Sequence, residues 1–259
     1  MKEEIRYGSW IRVKRLAFFA AALVPSLALS AIGFARPLFL LALAPAAFFG
    51  YISLIVGMSY WRFDRCGGGW QDRIHRLLAE RIVGQGRVLD IGCGSGHLAI
   101  MIAKGGRGRR LVGLDYWGRD WEYSLEQCRT NARLEGIGGV EFVEGSASRL
   151  DFAGGSFDQV VSCLTFHEVA GPARKELCVA EALRVLKPGG RFVFLDLFDD
   201  RGFFPDADAL SSALKEGGGT VEENRSLGEV LDLPFPLRGK RALGRARLIV
   251  GRKTASGPV

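Results

Sequence analysis

The chain has 259 residues, 35 Lys and Arg against 28 Asp and Glu, 24% charged and 48% hydrophobic. These proportions exclude a disordered, collagenous or disulfide-scaffold chain, and the length allows one large domain or two small ones. The mean hydropathy is nonetheless +0.12, which in a quarter-charged chain requires that the apolar residues be concentrated in one place.

That place is near the start. From Leu16 to Tyr60 the only charged residue is Arg36. Arg36-Pro37 divides the stretch into residues 16–34 and 38–58, each close to the roughly 20 residues a helix needs to cross a bilayer. A tight turn at Ala35-Arg36-Pro37 makes the two a helical hairpin, and lipid tolerates Pro25 and Pro45 inside the spans. Lys2, Arg6, Arg12, Lys14 and Arg15 precede the first span and Arg62, Arg65, Arg73 and Arg76 follow the second. With Arg36 alone between the spans, both ends belong on the cytoplasmic side. Trp10, Tyr51, Tyr60 and Trp61 fall near the expected interfaces. The competing readings are a cleaved leader ending near Ala28-Leu29-Ser30-Ala31 and a soluble hairpin packed on protein. The expectation is a two-span membrane anchor over residues 1–60, touching membrane lipids, and a soluble domain over residues 61–259 that folds without it.

Charge is unevenly divided. Residues 1–15 carry a net +3, residues 61–224 a net −3 and residues 225–259 a net +6. A mildly acidic centre argues against a nucleic-acid partner, whereas basic ends suit anionic headgroups; Lys253 to Val259 read as a solvated tail. Cys66, Cys93, Cys128, Cys163 and Cys178 are odd in number, widely spaced and without a Cys-x-x-Cys pair, so reduced thiols are expected rather than disulfides or a metal site.

After the Gly67-Gly68-Gly69 hinge, Ile74, Leu77, Leu78 and Ile82 recur at helical spacing and predict an amphipathic helix over residues 70–82. Short β-rich runs and helical stretches then alternate: strands at residues 87–91, 110–115, 140–143, 158–163 and 191–196, helices at 95–104, 121–135 and 172–186. This order predicts an α/β fold, a parallel sheet with helices on both faces. Beyond Asp206 the pattern weakens to a helix at 207–215 and a final strand at 246–250.

The first strand runs into Asp90-Ile91-Gly92-Cys93-Gly94-Ser95-Gly96-His97. Alternate glycines allow a sharp turn and close approach of a ligand, and the following helix offers unpaired amides. The spacing is neither the dinucleotide Gly-x-Gly-x-x-Gly nor a triphosphate loop, and a carboxylate at Asp90 suits a cationic amino group better than a pyrophosphate. Asp115 ends the second strand, where an acidic side chain can accept from both ribose hydroxyls. The site therefore wants a ribose and an amino acid without phosphate.

Asp90 to Gly96, Asp115, Phe157-Asp158 and Leu186-Lys187-Pro188-Gly189-Gly190 resemble the class I S-adenosylmethionine-dependent methyltransferases over roughly residues 70–200. The resemblance implies a Rossmann-like seven-stranded sheet, mostly parallel with an antiparallel edge hairpin. It implies S-adenosylmethionine held by Asp90, Gly92, Cys93, Gly94 and Gly96, by Asp115 at the ribose, and by Tyr116 or Trp117 on the adenine. Ser146, Ala147 and Ser162 border the same site. Gly145-Ser146-Ala147 stands where many relatives have Gly-Asp-Ala, so Ser146 can accept from the adenine amine only weakly. The acceptor side is Ser162 to Glu168, which lacks the Asn/Asp-Pro-Pro-aromatic signature of amino-directed enzymes and resembles the small-molecule branch that includes quinone and lipid methyltransferases. There His167, with Glu168, either deprotonates a hydroxyl or thiol acceptor or merely orients the next helix. The implied function is methyl transfer to a small lipophilic acceptor through O, N or S; the alternative is a non-catalytic membrane scaffold or sensor retaining the cofactor fold. No metal is called for.

Overall fold

The computed structural model describes residues 4–32, 39–106, 108–118, 123–169 and 175–255. Two compact units emerge: Ser9–Asp72, and the chain from Arg73 onward together with the residues before Ser9.

In the first unit α1 (Val13–Ile32) and α2 (Phe39–Phe63) pack against each other and run unbroken through Pro25 and Pro45. Their seryl hydroxyls at Ser26, Ser30 and Ser59 turn back onto carbonyls four residues earlier, which hides polar atoms inside otherwise apolar helices. Leu43–Phe63, 21 residues with mean hydropathy 1.5, is long and apolar enough to cross a membrane by length and composition. Leu16–Ile32 is apolar but shorter. The Ala35-Arg36-Pro37 turn lies outside the described residues. Helix α3 (Trp70–Ala79) follows, and its Ile74 and Leu78 are fully buried.

The second unit is a seven-stranded sheet of order β3-β2-β1-β4-β5-β7-β6. Its strands are β1 (Gly86–Ile91), β2 (Arg109–Asp115), β3 (Val140–Glu144), β4 (Phe157–Cys163), β5 (Leu186–Asp196), β6 (Gly219–Ser226) and β7 (Arg247–Lys253). The first five are parallel, and β7 runs antiparallel to both β5 and β6. This is the Rossmann-like methyltransferase sheet that the motifs imply. Helices α4 (His97–Lys104), α5 (Leu125–Leu134), α6 (Glu176–Val185), α7 (Ala207–Glu216) and the short α8 (Leu227–Val230) connect them. Successive strand residues face opposite ways: Leu89, Ile91, Val112 and Leu114 join the cluster built with α6 and α7, whereas Phe142 packs with Ala99, Ile100, Cys128 and Ala132 of α4 and α5.

Two motif positions turn out to be structural. Asp158 accepts from the Arg87 amide at 2.8 Å and from Lys187 Nζ at 2.8 Å, so it ties β4 to both neighbours. Those bonds, Lys187's first, hold its carboxyl below the ordinary range. Lys187 to Gly190 form an excursion within β5, because pairing with β4 jumps from Phe157–Leu186 to Gln159–Arg191. The basic C-terminal stretch is not a free tail up to Lys253: that residue ends β7, and its Nζ donates to the Leu183 and Leu186 carbonyls at 2.8 and 3.0 Å. All five cysteines are free thiols.

Candidate active site

The parallel strands deliver their carboxyl ends to one edge, where an open α/β sheet binds ligands. β1 ends in the glycine loop, whose Gly92 and Cys93 amides donate to the Leu114 carbonyl at 2.7 and 3.1 Å. Gly92 and Gly94 have φ of +75° and +56°, a region that costs an L-residue strain. A Cβ on Gly92 would also lie 2.0 Å from Thr165 Oγ1. The loop thus presses on the segment after β4, and Ser162 and Thr165 both donate to the Ile91 carbonyl at 3.1 Å. The glycine loop and the segment after β4 are joined at that carbonyl.

Asp115 is the hub of the loop. Its Oδ2 accepts from the Gly94 amide and its Oδ1 from the Trp117 amide, each at 2.8 Å. Trp117 has φ +43°, and its indole Nε1 donates to the Gly94 carbonyl at 2.8 Å, so this ring is folded back onto the loop. Tyr116, by contrast, is 68% exposed. Cys93 is buried, with its thiol pushed up by burial and by neighbouring Cys128, and its backbone is spent inside the loop on the Leu114 carbonyl and the Gly96 amide. Ser146 exchanges a 2.8 Å bond with Ser148 inside its own turn, Ala147 is buried, and Ser162 is fully buried with its hydroxyl on Ile91.

Asp90 carries the test of the cofactor. It is 1% exposed, and its Oδ2 has no hydrogen-bond partner. Burial and then the charge of Asp115 push its pKa up to about 8, with the Ala99 amide pulling the other way. An orphaned buried carboxyl oxygen near the Asp115 carboxylate fits a ligand bearing an ammonium group. A cation there favours ionised Asp90, so below the free pKa of about 8 its binding expels a proton and affinity rises with pH. Calorimetry near pH 6.5 in buffers of different ionisation enthalpy is expected to show about one proton released per S-adenosylmethionine bound. Asp90→Asn should release none, and equal release from both proteins would refute the assignment.

The segment after β4 meets a second carboxylate that sequence spacing did not reveal. Asp196, the last residue of β5, is fully buried and accepts from the Phe166 and Leu197 amides at 2.7 Å each. Its Oδ1 also lies 2.5 Å from His167 Nδ1, within the 3₁₀ turn Phe166–Glu168. His167 Nε2 is 3.7 Å from Glu168 Oε1, and the Phe203 ring packs 5.0 Å from the imidazole. Burial opposes protonation of His167, but the charge of Asp196 and the hydrogen bond to it, aided by Glu168, outweigh that and raise its pKa. The structure therefore brings His167 and Glu168 together and adds Asp196 and Thr165.

A family model described as "Methyltransferase domain" matches residues 89–194. An uncharacterised methyltransferase of Synechocystis sp. is 30% identical over 169 residues, covering 63% of this chain and 74% of that protein. The chain belongs to the methyltransferase family. A fatty-acid O-methyltransferase of Mycolicibacterium smegmatis is 35% identical over 47% of this chain and 41% of its own length. For the demethylmenaquinone methyltransferase of Thermus thermophilus the figures are 34%, 49% and 53%, so the chain spans about half the length of these two relatives. Among solved structures, an S-adenosylmethionine-dependent methyltransferase of Methanosarcina mazei superposes with TM-score 0.53 at 21% identity, covering 70% of this chain and 98% of the other. The [4+2]-cyclase SpnF gives 0.55 at 19%, over 71% and 81%, a likeness of fold alone. The protein is an S-adenosylmethionine-dependent methyltransferase, and the glycine loop, Asp90 and Asp115 are where its residues suit that cofactor.

One support of this methyltransferase site comes from far upstream. The Arg6 amide donates to Asn131 Oδ1 and Asn131 Nδ2 returns a bond to the Arg6 carbonyl, both at 2.9 Å. Asn131 also donates to the Ser95 carbonyl at 3.0 Å. Tyr7 stacks on His97 with centroids 3.8 Å apart and donates to Glu135 at 2.9 Å. Residues that precede the apolar helices thus brace the glycine loop and the start of α4.

Proposed function

We propose that the protein is a membrane-anchored methyltransferase that methylates a hydroxyl oxygen on a small lipophilic acceptor. The observation that supports the choice of oxygen is the buried His167–Asp196 pair beside the glycine loop. Bound S-adenosylmethionine supplies a methyl group activated by its sulfonium. Asp90, the Gly92–Gly96 loop, Asp115, Tyr116 and the Ser146–Ala147 turn would hold it, while buried Ser162 supports the loop through the Ile91 carbonyl and does not reach the cofactor. Two backbone amides fix Asp196, which holds the His167 Nδ1 proton and leaves Nε2 as the base. The acceptor hydroxyl then gives its proton to Nε2 as its oxygen takes the methyl group. Such positioned proton transfer is worth about 10²- to 10⁴-fold. A carboxylate acceptor, already anionic, needs no base of this kind, whereas a phenol or alcohol does.

The lipophilic acceptor is supported by relatives whose names specify a fatty acid and demethylmenaquinone. The anchor is supported by Leu43–Phe63 and by its apolar partner helix, which we read as two spans with both ends cytoplasmic. Purified protein incubated with labelled methyl donor and a membrane-lipid extract is expected to label a neutral, alkali-stable ether. Label in an alkali-labile ester or an amine, or in nothing, would refute the hydroxyl assignment. Full-length protein should stay in the membrane pellet after alkaline carbonate extraction; its appearance in the supernatant would contradict the anchor. Removing residues 1–60 is a poorer test, because it also takes away Arg6 and Tyr7.

A further inference from the structure

The net +6 of residues 225–259 resolves in space. Arg225 donates to the Glu229 carbonyl, Arg245 pairs with Asp200, Arg247 with Asp199 and Arg252 with Glu222, and Lys253 is tied to two carbonyls. That leaves Arg238, Lys240 and Arg241, all exposed and with no side-chain hydrogen bond or ion pair among the described residues. They sit on one turn with Phe235, 48% exposed between Pro234 and Pro236.

The turn is built rather than loose. Leu233, Leu237 and Leu243 are buried at 3%, 0% and 6% exposure beneath it. The Arg238 amide closes on the Pro234 carbonyl at 3.1 Å, Gly239 on Pro236 at 2.9 Å and Leu243 on Leu237 at 2.9 Å. An apolar floor and closed turns hold one aromatic ring and three cations toward solvent, and no Asp or Glu occurs between Leu233 and Lys253 to neutralise them.

The position is as telling as the charge. Arg245 and Arg247 bind Asp200 and Asp199 at 3.0 and 2.8 Å, which lashes the turn to the segment following β5. That segment carries Asp196 at its start and Phe203, 38% exposed, against His167. The basic turn therefore lies at the acceptor end of the sheet.

We propose that Pro234–Arg241 is a docking surface for an anionic lipid bilayer. Phe235 seats its apolar ring at the boundary of headgroups and acyl chains, and Arg238, Lys240 and Arg241 meet the lipid phosphates. Docking brings the His167 end of the sheet to the surface from which a lipophilic acceptor is drawn. That consequence rests on the proposed function; the docking itself rests on exposure, charge and the aromatic ring. A mildly acidic domain with three free cations on one turn is a poor nucleic-acid footprint, and the exposed phenylalanine beside them selects the bilayer.

The test uses full-length protein reconstituted in nanodiscs of phosphatidylcholine alone or with about one third phosphatidylglycerol, read by amide hydrogen exchange. Exchange across residues 235–241 is expected to slow at least about fivefold in the anionic discs, a modest share of what three cations gain at such a surface. Half-molar salt should remove the difference, and residues 136–139, an exposed turn elsewhere, should not change. The triple variant R238Q/K240Q/R241Q should lose the protection, and Phe235→Ser, which leaves the charges in place, should weaken it. Equal exchange in both discs, or protection produced by added RNA and not by anionic lipid, would overturn the proposal. Protection without any methylated lipid would leave the docking standing and count against the acceptor assignment instead.

Discussion

Replacing Asp115 by alanine is expected to weaken S-adenosylmethionine binding by about a hundredfold to a thousandfold while leaving the sheet folded. The carboxylate already accepts the Gly94 and Trp117 amides at 2.8 Å each, and each oxygen keeps a second lone pair for a ribose hydroxyl. Hydrogen bonds to a charged group contribute about 1.5–3 kcal/mol each. Losing two to the ligand, together with the brace on Gly94, therefore accounts for about 3–4 kcal/mol, which is the affinity loss stated. The side chain stands at the open end of β2 and is only half-buried, so the melting temperature should move by little. Asp115→Asn separates the two contributions, since the amide keeps one acceptor and loses the charge. Calorimetry checks both variants, and an unchanged affinity in Asp115→Ala would remove the carboxylate from the cofactor site.

What was legible in the sequence was local. Asp90 to Gly96 and Asp115 could be read directly because a glycine loop and the acids at two strand ends express their chemistry within a few neighbours. The strands β1, β2, β4 and β5 announced themselves because they are buried on both faces and are therefore continuously apolar. Edge strand β6 gave no such signal: Gly219–Ser226 is exposed along most of its length and is held by β7 pairing and by Glu222 and Glu223 on Arg252, Arg191 and Arg81. Asp196 was invisible for a different reason. It lies 29 residues from His167 and meets it only because β4 and β5 are neighbours, which no spacing rule encodes. The brace from Arg6 and Tyr7 onto Asn131 and His97 spans up to 125 residues in the same way.

That juxtaposition of β4 and β5 carries the second large effect. Asp196→Asn is expected to lower kcat by about a hundredfold or more, approaching the roughly 10²- to 10⁴-fold loss of His167→Gln, with cofactor affinity unchanged in both. The amide can still fill the space of the carboxylate, but it neither stabilises the imidazolium nor commits the Nδ1 proton, so Nε2 is no longer reliably the basic nitrogen. The pH profile separates a positioning role from a merely structural one. His167 acts as base only when neutral, and Asp196, with Glu168, holds its pKa above the ordinary histidine value against burial and against Lys175. Asp200 also faces it electrostatically. The acid limb of kcat/KM in the native enzyme should therefore lie above about 6.5, and it should move to lower pH in Asp196→Asn, where burial acts unopposed by that charge. The same shift has a thermodynamic face: folded His167 binds its proton more tightly than the unfolded chain does. Its stabilising contribution is present below the unfolded value near 6.5 and is lost as pH rises through the raised one. With three histidines in the chain, nitrogen NMR of the ligand-free protein can follow His167 directly, assigned by its loss in His167→Gln. A protonated Nδ1 with a raised titration midpoint, falling in Asp196→Asn, is the expected spectrum; a midpoint indifferent to Asp196 would show that the buried carboxylate serves only the Phe166 and Leu197 amides.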